Sequence, residues 1–474
     1  MREVCVSDSA TVTTVNPATG ERIAEHELLS SADLAEAVQR AHAGGTAWAA
    51  RSVTERAATI RRLADVLTDR TDDLAALVTA EMGKPITAAR SEVTKCADAA
   101  SYLAGVAAEV LAPSPRPADA EGARVEVRYQ PLGAVLGIMP WNFPHWQSLR
   151  FALPALLTGN SVLIKPAPGT TGSGLALQEC CAAAGLGDVV QTVPTGNDEV
   201  AELIAHPLLR GVSLTGSTRA GRAVAELAGR ALKPVVLELG GSDPYLVLAD
   251  ADVEAAATTA ATARMQNTGQ SCIAAKRFIV VDEVYDAFLA GFVKAVEAMP
   301  VGDPTKESTQ IGPLSSATAR ETLADQVSRA VAGGARVVSG GHPIPGGGAF
   351  YEPTVLTDVA DDNPCWREEV FGPVAPVRRV ADVDEAVDTA NDSGYGLAAS
   401  VWTLDPTTGR DIADRLETGQ VFVNGMVASN PRFPFGGVKD SGFGRELGIE
   451  GFTAFANIKT CRFAGFDDEG DTAG

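Results

Sequence analysis

The sequence predicts an α/β protein that is built on parallel β-sheets and has more than one domain. Short β-rich runs alternate with helical stretches from residue 132 to 240, and the alternation returns between 241 and 452. This pattern is typical of βαβ units, in which a helix connects two parallel strands. With 474 residues, the chain is also longer than one hydrophobic core usually supports. We therefore expect two or more domains.

Amphipathic helices dominate the first hundred residues. Leu34, Val38 and Ala41 have helical spacing, with Ser31 as a candidate N-cap, and two further amphipathic runs occupy residues 53–80. Residues 112–122, rich in Pro, Ala and Asp, predict a loop. The next segment, 124–129, alternates polar and apolar residues, which predicts a half-exposed strand that offers an edge for pairing.

The strands of the two parallel sheets are predicted from apolar, β-branched runs between turn residues. They are residues 135–139, 161–164, 189–193, 211–214 and 235–237 in the first set, and 277–281, 374–377 and 420–423 in the second. A run at 452–458 looks like one more strand.

Composition and charge exclude several classes of function. A net charge of −21 and a pI of about 4.7 disfavour binding to nucleic acid or to an anionic membrane. The N-terminus has no apolar signal core, and no apolar run approaches the ~20 residues of a membrane helix. Seven cysteines, an odd number, argue for reduced thiols, and no His or Cys spacing suits a metal. We expect a cytoplasmic, metal-free protein with a disordered tail at 467–474.

A cysteine loop and a carboxylate motif carry the strongest chemical signal. Cys272 closes the segment 266–272, and Glu238 lies 34 residues earlier, just before paired glycines at 240–241. A thiol accepts an acyl group, and a nearby carboxylate activates the water that removes it. A third segment, 214–221, follows a strand and opens a helix, where glycine and a helix N-terminus favour a phosphate. Each motif alone could be structural, but together they predict covalent catalysis.

These motifs resemble the aldehyde dehydrogenase family over nearly the whole chain. The matching segments, in family order, are 16–20, 140–144, 165–167, 214–218, 237–241, 269–272, 368–373 and 434–439. The resemblance implies a Rossmann-like cofactor domain at 1–117 and 132–240 and an α/β catalytic domain at 241–452. It also implies a small β oligomerisation element, formed by 118–131 with 453–466, and a homodimer or homotetramer.

The resemblance also implies a role for each matching residue. Cys272 would attack the aldehyde, and loss of hydride to the nicotinamide would leave a thioester on its sulfur. Glu238 would be the base for hydrolysis, while the Asn142 side chain and the Cys272 backbone N–H would hold the oxyanion. The residues expected to bind the cofactor are Trp141, Lys165, Pro168, Gly216, Ser217, Glu369 and Phe371.

Pro168 bears on the choice between the two nicotinamide cofactors. Relatives that prefer NAD often have a glutamate at this position, which binds the adenosine 2′-hydroxyl and repels a 2′-phosphate. With proline there and Lys165 nearby, the resemblance implies that NADP is accepted and favoured over NAD.

The substrate residues resemble most closely those of bacterial succinate-semialdehyde dehydrogenases. Arg150 and Ser429 fall where those enzymes bind the substrate carboxylate, although Arg150 could instead form a structural ion pair. Gln266 stands where many of them have a second arginine, and Arg432 could supply part of that missing charge. Glutarate semialdehyde, an uncharged aliphatic aldehyde, CoA-dependent acylation and a non-enzymatic structural role remain the alternatives.

Overall fold

The structure, a computed structural model, describes residues 11–464, so the predicted disordered tail at 467–474 lies outside the described residues. The strands in this range are β1 (Thr11–Val15), β2 (Arg22–Glu27), β3 (Ser114–Arg116), β4 (Arg124–Pro131), β5 (Ala134–Ile138), β6 (Ser161–Lys165), β7 (Val190–Thr192), β8 (Leu209–Thr215), β9 (Val235–Glu238), β10 (Asp243–Val247), β11 (Ala275–Val281), β12 (Arg336–Ser339), β13 (Thr354–Thr357), β14 (Val374–Val380), β15 (Tyr395–Gly396), β16 (Ala399–Trp402), β17 (Val421–Val423), β18 (Val438–Lys439), β19 (Gly442–Phe443) and β20 (Ala456–Phe463). The helices are α1 (Ser31–Ala49), α2 (Val53–Asp69), α3 (Thr71–Met82), α4 (Ile86–Val110), α5 (Pro144–Thr158), α6 (Thr171–Ala183), α7 (Asn197–Ala205), α8 (Thr218–Arg230), α9 (Val253–Met265), α10 (Asp282–Glu297), α11 (Ala317–Ala332), α12 (Pro364–Arg367), α13 (Val383–Asn391), α14 (Pro406–Arg415) and α15 (Gly448–Thr453).

A six-stranded sheet occupies the first half of the chain, in the order β19-β9-β8-β5-β6-β7. Its strands are parallel except for β19, which runs antiparallel to β9. Helices α1 and α5 pack on it, and its central strands β5, β6 and β8 are almost fully buried, as both-face coverage requires. The carboxyl ends of β5, β6, β8 and β9 lead into the segments that carry Asn142, Lys165, Ser217 and Glu238, so parallel pairing gathers these residues at one edge.

A seven-stranded sheet follows, in the order β12-β13-β14-β11-β10-β16-β17. All its strands are parallel except β12, which is antiparallel to β13. Cys272 lies just before β11, and Phe371 lies just before its neighbour β14. Because the two strands are parallel and adjacent, the loops that precede them meet at one sheet edge.

A separate three-stranded antiparallel sheet has the order β20-β4-β3. The strand predicted at 124–129 is present within β4, and the edge predicted to be available for pairing is occupied, because β4 pairs with β20 on one side and with β3 on the other. The strand predicted at 452–458 begins later than expected: residues 448–453 form α15, and β20 starts at Ala456. The β19 residues 442–443, which the sequence placed with the catalytic domain, join the six-stranded sheet.

Local sequence explains the first helices. Ser30, rather than the predicted Ser31, caps α1, because Asp33 stands three residues after Ser30 and completes a capping box. Ser52 and Glu55 form the same arrangement at the start of α2. Between residues 11 and 464, no helix is both long and apolar enough to cross a membrane.

Candidate active site

The loop that carries Cys272 has an unusual backbone. Asn267, Thr268 and Gly269 have positive φ angles of 53°, 58° and 71°, a left-handed run that non-glycine residues seldom adopt. A side chain at Gly269 would collide with the Gly372 carbonyl, so this position requires glycine. The strained turn ties the cysteine loop closely to the segment before β14.

Buried cations hold this loop in place. The Lys276 ammonium donates to the carbonyls of Ser271 and Cys272 at 2.8 and 2.7 Å. Arg264, at the end of α9, donates to the carbonyls of Val374 and Val370 at 2.7 and 2.8 Å, and so links the loop to the Glu369–Phe371 segment. Neither cation was predicted from the sequence, because the side chains act through backbone carbonyls rather than through a chemical motif.

Cys272 stands where two cavities meet. One cavity, of about 220 Å³, is lined by residues of the expected cofactor site, and the other, of about 300 Å³, by those of the expected substrate site. Cys272 and Gln147 line both. Burial raises the pKa of the Cys272 thiol to about 11, while the positive charges of Arg150 and Lys276 act in the opposite direction. The thiol is therefore protonated at neutral pH until it is activated.

Hydrogen bonds hold Asn142 against the loop that carries Cys272. Its side-chain NH₂ donates to the Gln270 carbonyl at 3.0 Å, and its Oδ1 accepts from Gln147 Nε2 at 3.1 Å. Asn267 Nδ2 in turn donates to the Asn142 carbonyl at 2.9 Å. An amide NH₂ has two donors, so one N–H remains to stabilise an oxygen on the substrate carbon.

Glu238 is buried at the end of β9 and is 2% exposed. Neither carboxylate oxygen has a hydrogen-bond partner among the described residues. Burial raises the pKa of Glu238 well above its ordinary value, with the Arg150 charge opposing and the Glu446 charge adding to the shift. A carboxyl with a raised pKa and unused acceptors is suited to take a proton from a water molecule.

The expected cofactor residues line two adjoining cavities. Lys165 and Pro168 line a cavity of about 470 Å³, and Gly216 and Ser217 line the smaller one of about 220 Å³. Both are lined by Trp141, Glu369 and Phe371. The Trp141 and Phe371 rings pack edge to face with centroids 5.6 Å apart, between the two spaces.

Polar groups of the two cavities are arranged for a dinucleotide. Ser217 caps α8, whose N-terminal amides favour a phosphate, and its hydroxyl accepts from Ala220 N at 3.2 Å. Glu369 accepts from Gly241 N at 3.0 Å and lies 3.7 Å from Lys276. The groups present therefore fit a nicotinamide dinucleotide: a cation at Lys165 and a helix N-terminus at Ser217 lie on two cavities that share the walls formed by Trp141, Glu369 and Phe371.

Pro168 lines the cavity of about 470 Å³ together with Glu81 of α3. The Glu81 oxygens accept from Gly172 N and Ser173 N, both at 2.9 Å. Burial also raises the pKa of Glu81. The start of α6 thus engages the Glu81 carboxylate, which weakens its repulsion of a bound anion.

The substrate cavity contains three of the four residues expected there. Gln266, Ser429 and Arg150 line it, together with Lys84, Lys95 and Trp146. Arg432 does not line this cavity: it is exposed, and its guanidinium stacks 4.6 Å above the Tyr102 ring. The expectation that Arg432 replaces the missing arginine charge is therefore not supported by its position.

The guanidinium of Arg150, which the resemblance placed at the substrate carboxylate, contacts groups of the protein itself. Its Nε forms an ion pair with Glu446, its Nη2 lies 3.3 Å from Thr215 Oγ1, and the side chain is 2% exposed. The guanidinium also lies 4.3 Å above the Phe435 ring. The structural ion pair, which was the alternative expectation for Arg150, is present: its partner is Glu446, 296 residues away in the sequence.

Lys95 is the cavity residue that sequence reasoning missed. It belongs to α4, far from every motif, yet its ammonium donates to Ser429 Oγ at 2.7 Å and lies 4.4 Å above the Trp146 ring. Trp146 Nε1 donates to the same Ser429 oxygen at 3.1 Å. A lysine at helical spacing beside Glu92 and Cys96 gives no sequence signal for such a contact.

Similarity to known proteins identifies the family of this chain. A model of the aldehyde dehydrogenase family matches residues 5–461, and the chain belongs to this family. It is 45% identical over 466 residues, 98% of each chain, to a protein of Mycolicibacterium paratuberculosis named succinate-semialdehyde dehydrogenase (NADP+). A similarly named protein of Mycobacterium ulcerans is 46% identical over 452 residues, 95% of this chain and 99% of the relative.

Solved structures agree with this assignment. The crystal structure of succinic semialdehyde dehydrogenase from Streptococcus pyogenes, in complex with NADP+, has a TM-score of 0.93 and 36% identity. The match covers 95% of this chain and 99% of that one. The predicted fold class, α/β with the aldehyde dehydrogenase fold, is thereby confirmed.

Proposed function

We propose that this protein oxidises succinate semialdehyde to succinate with NADP as the favoured cofactor. The observation that carries the proposal is the meeting of two cavities at Cys272. One fits a dinucleotide, and the other is lined by cations that suit a carboxylate. The relatives in mycobacteria and the streptococcal structure, by their names, act on this aldehyde or bind NADP+.

The chemistry is divided among three residues. The Cys272 thiol loses its proton to water, the thiolate sulfur bonds to the aldehyde carbon, and the carbonyl oxygen receives hydrogen bonds from Asn142 Nδ2 and the Cys272 backbone N–H. NADP, when bound, supplies a hydride acceptor. Cys272 then carries the acyl group as a thioester. Glu238 takes a proton from the attacking water, the C–S bond breaks, and the free thiol and succinate are released.

Assembly and location are further parts of the proposal. We expect the three-stranded sheet to be the oligomerisation element of a homodimer or homotetramer, since the outer strand β20 presents exposed residues, including Ile458 at 60% exposure. A cytoplasmic location fits the cysteines, because the six between residues 11 and 464 are all unpaired.

An assay of purified protein tests the function. NADP and NAD reduction would be followed with succinate semialdehyde, glutarate semialdehyde and butanal, each with and without CoA. We expect the highest kcat/KM for succinate semialdehyde with NADP, no stimulation by CoA, and no turnover by Cys272→Ser. A preference for glutarate semialdehyde or butanal would refute the substrate assignment, and a strict need for CoA would refute hydrolysis by Glu238.

A further inference from the structure

The basic side chains of the substrate cavity are not all paired with acidic residues of the range 11–464. Lys84, Lys95 and Arg150 are the basic side chains that line it. Lys84 pairs with Glu92, and Arg150 pairs with Glu446. Lys95, in contrast, has no ion-pair partner among residues 11–464, and its hydrogen bond goes to the neutral hydroxyl of Ser429.

An unpaired ammonium in a partly buried site is unfavourable unless an anion joins it. Removal from water penalises the charged form, and a compensating negative charge restores the balance. The cavity has about 300 Å³ of free space next to Lys95, and the acyl-accepting Cys272 lines the same space. An anion on the substrate is therefore the missing partner.

The hydroxyl of Ser429 is oriented to donate a hydrogen bond to an anion beside Lys95. Its oxygen accepts from Lys95 Nζ at 2.7 Å and from Trp146 Nε1 at 3.1 Å. A hydroxyl has two acceptor lone pairs and one donor, so with both lone pairs engaged, its remaining role is to donate. Trp146 thus fixes Ser429 as a hydrogen-bond donor beside the ammonium.

We propose that Lys95 and the hydroxyl of Ser429 together bind the distal carboxylate of the substrate, and that Lys95 replaces the second arginine whose position is held by Gln266. The inference rests on the proposed function and assigns the residue that selects a semialdehyde acid over a neutral aldehyde. Arg150 adds positive potential to the cavity without binding the carboxylate directly, since its guanidinium contacts Glu446 and Thr215.

The electrostatic surroundings agree with this role. Burial, and then the charge of Arg150 on α5, lower the pKa of Lys95 to about 8, while Cys96 and Glu92 on α4 and Cys272 act in the opposite direction. The ammonium form still prevails at neutral pH. A bound carboxylate would stabilise that form further, because an opposite charge at contact distance raises the pKa of an amine.

The test compares two aldehydes of equal chain length in the NADP-loaded enzyme. Lys95→Met keeps the length of the side chain and removes its charge. We expect kcat/KM for succinate semialdehyde to fall roughly ten- to a hundredfold, the effect of losing a charge-assisted hydrogen bond. Butanal, which has no carboxylate, should change by less than about twofold. Lys95→Arg should keep most of the selectivity.

Two controls separate the possible failures. Lys306→Met removes an exposed lysine from the loop between α10 and α11 and should leave both aldehydes unaffected. If Lys95→Met does not fold, Lys95→Gln replaces it in the same assay. The strength of competitive inhibition by succinate, compared with that by butyrate, gives a second measure of carboxylate recognition. Unchanged selectivity, or equal losses for both aldehydes, would overturn the role of Lys95. A wild-type enzyme that prefers butanal would instead overturn the proposed function.

Discussion

The pair formed by Arg150 and Glu446 gives a prediction that distinguishes a structural arginine from a substrate ligand. The two side chains are 2% and 4% exposed, so each charge depends on the other for compensation. Removing one partner of a buried pair typically costs about 3–5 kcal/mol, because the remaining charge stays buried. Arg150→Met should therefore destabilise the protein strongly, even though methionine preserves much of the packing against Phe435.

A double-mutant cycle measures this coupling. Glu446→Gln keeps an oxygen for Ser213, whose hydroxyl donates to Glu446 Oε1 at 2.9 Å. We expect each single variant to lower stability, whereas Arg150→Met with Glu446→Gln should lose about 1–3 kcal/mol less than the sum of the two. Thermal and urea unfolding of the four proteins, ranked under identical conditions, provide the measurement.

The kcat/KM values of Arg150→Met give a second test of the role of Arg150. Its charge lowers the pKa of the Cys272 thiol against the effect of burial. Losing the charge should therefore depress kcat/KM for butanal as well as for succinate semialdehyde. Arg150→Met with near-normal stability and a loss confined to succinate semialdehyde would refute this reasoning and return Arg150 to the role of carboxylate ligand.

Three further predictions concern hydrolysis, the cofactor and pH. Glu238→Gln should give a burst of about one NADPH per active site and then slow turnover, measured by stopped-flow absorbance; a lost burst would place Glu238 before hydrolysis. Pro168→Glu should shift the kcat/KM ratio from NADP towards NAD by roughly ten- to a hundredfold, through repulsion of the 2′-phosphate; an unchanged ratio would contradict this. The pKa of Lys95 is lowered to about 8, so its charge is present below pH 8 and lost above it. The ratio of kcat/KM for succinate semialdehyde to that for butanal should thus fall by up to about tenfold per pH unit above 8; a flat ratio would contradict the assignment.

Much of the cofactor site could be predicted because its residues belong to local motifs at the ends of parallel strands. Lys165 and Glu238 end strands of one sheet, and Asn142 and Ser217 follow two other strands of it. Parallel pairing places those strand ends side by side. The sequence pattern that predicts the strands therefore also predicts that these residues converge.

The charged contacts of the substrate cavity could not be predicted in this way. Lys95 meets Ser429 across 334 positions, and Arg150 meets Glu446 across 296. Both contacts depend on how α4, α5 and the segment after β17 pack together. A single lysine or glutamate on a helix or loop forms no sequence pattern from which such a contact could be predicted. The resemblance placed Arg150 correctly in the cavity wall, but only the packing reveals which anion it faces.

The same packing explains how a protein of net charge −21 can receive an anionic substrate. Several cations near the two cavities are almost completely buried, and their partners lie inside the protein: Lys84, Arg150, Arg264 and Lys276. Backbone carbonyls engage Arg264 and Lys276, which fixes the cysteine loop, and carboxylates neutralise Lys84 and Arg150. The acidic surface lies outside this shell and is screened by water and salt over about 10 Å. The sign of the substrate is therefore decided locally, by whichever cation in the cavity remains without a protein anion, and in the described part of the chain that cation is Lys95.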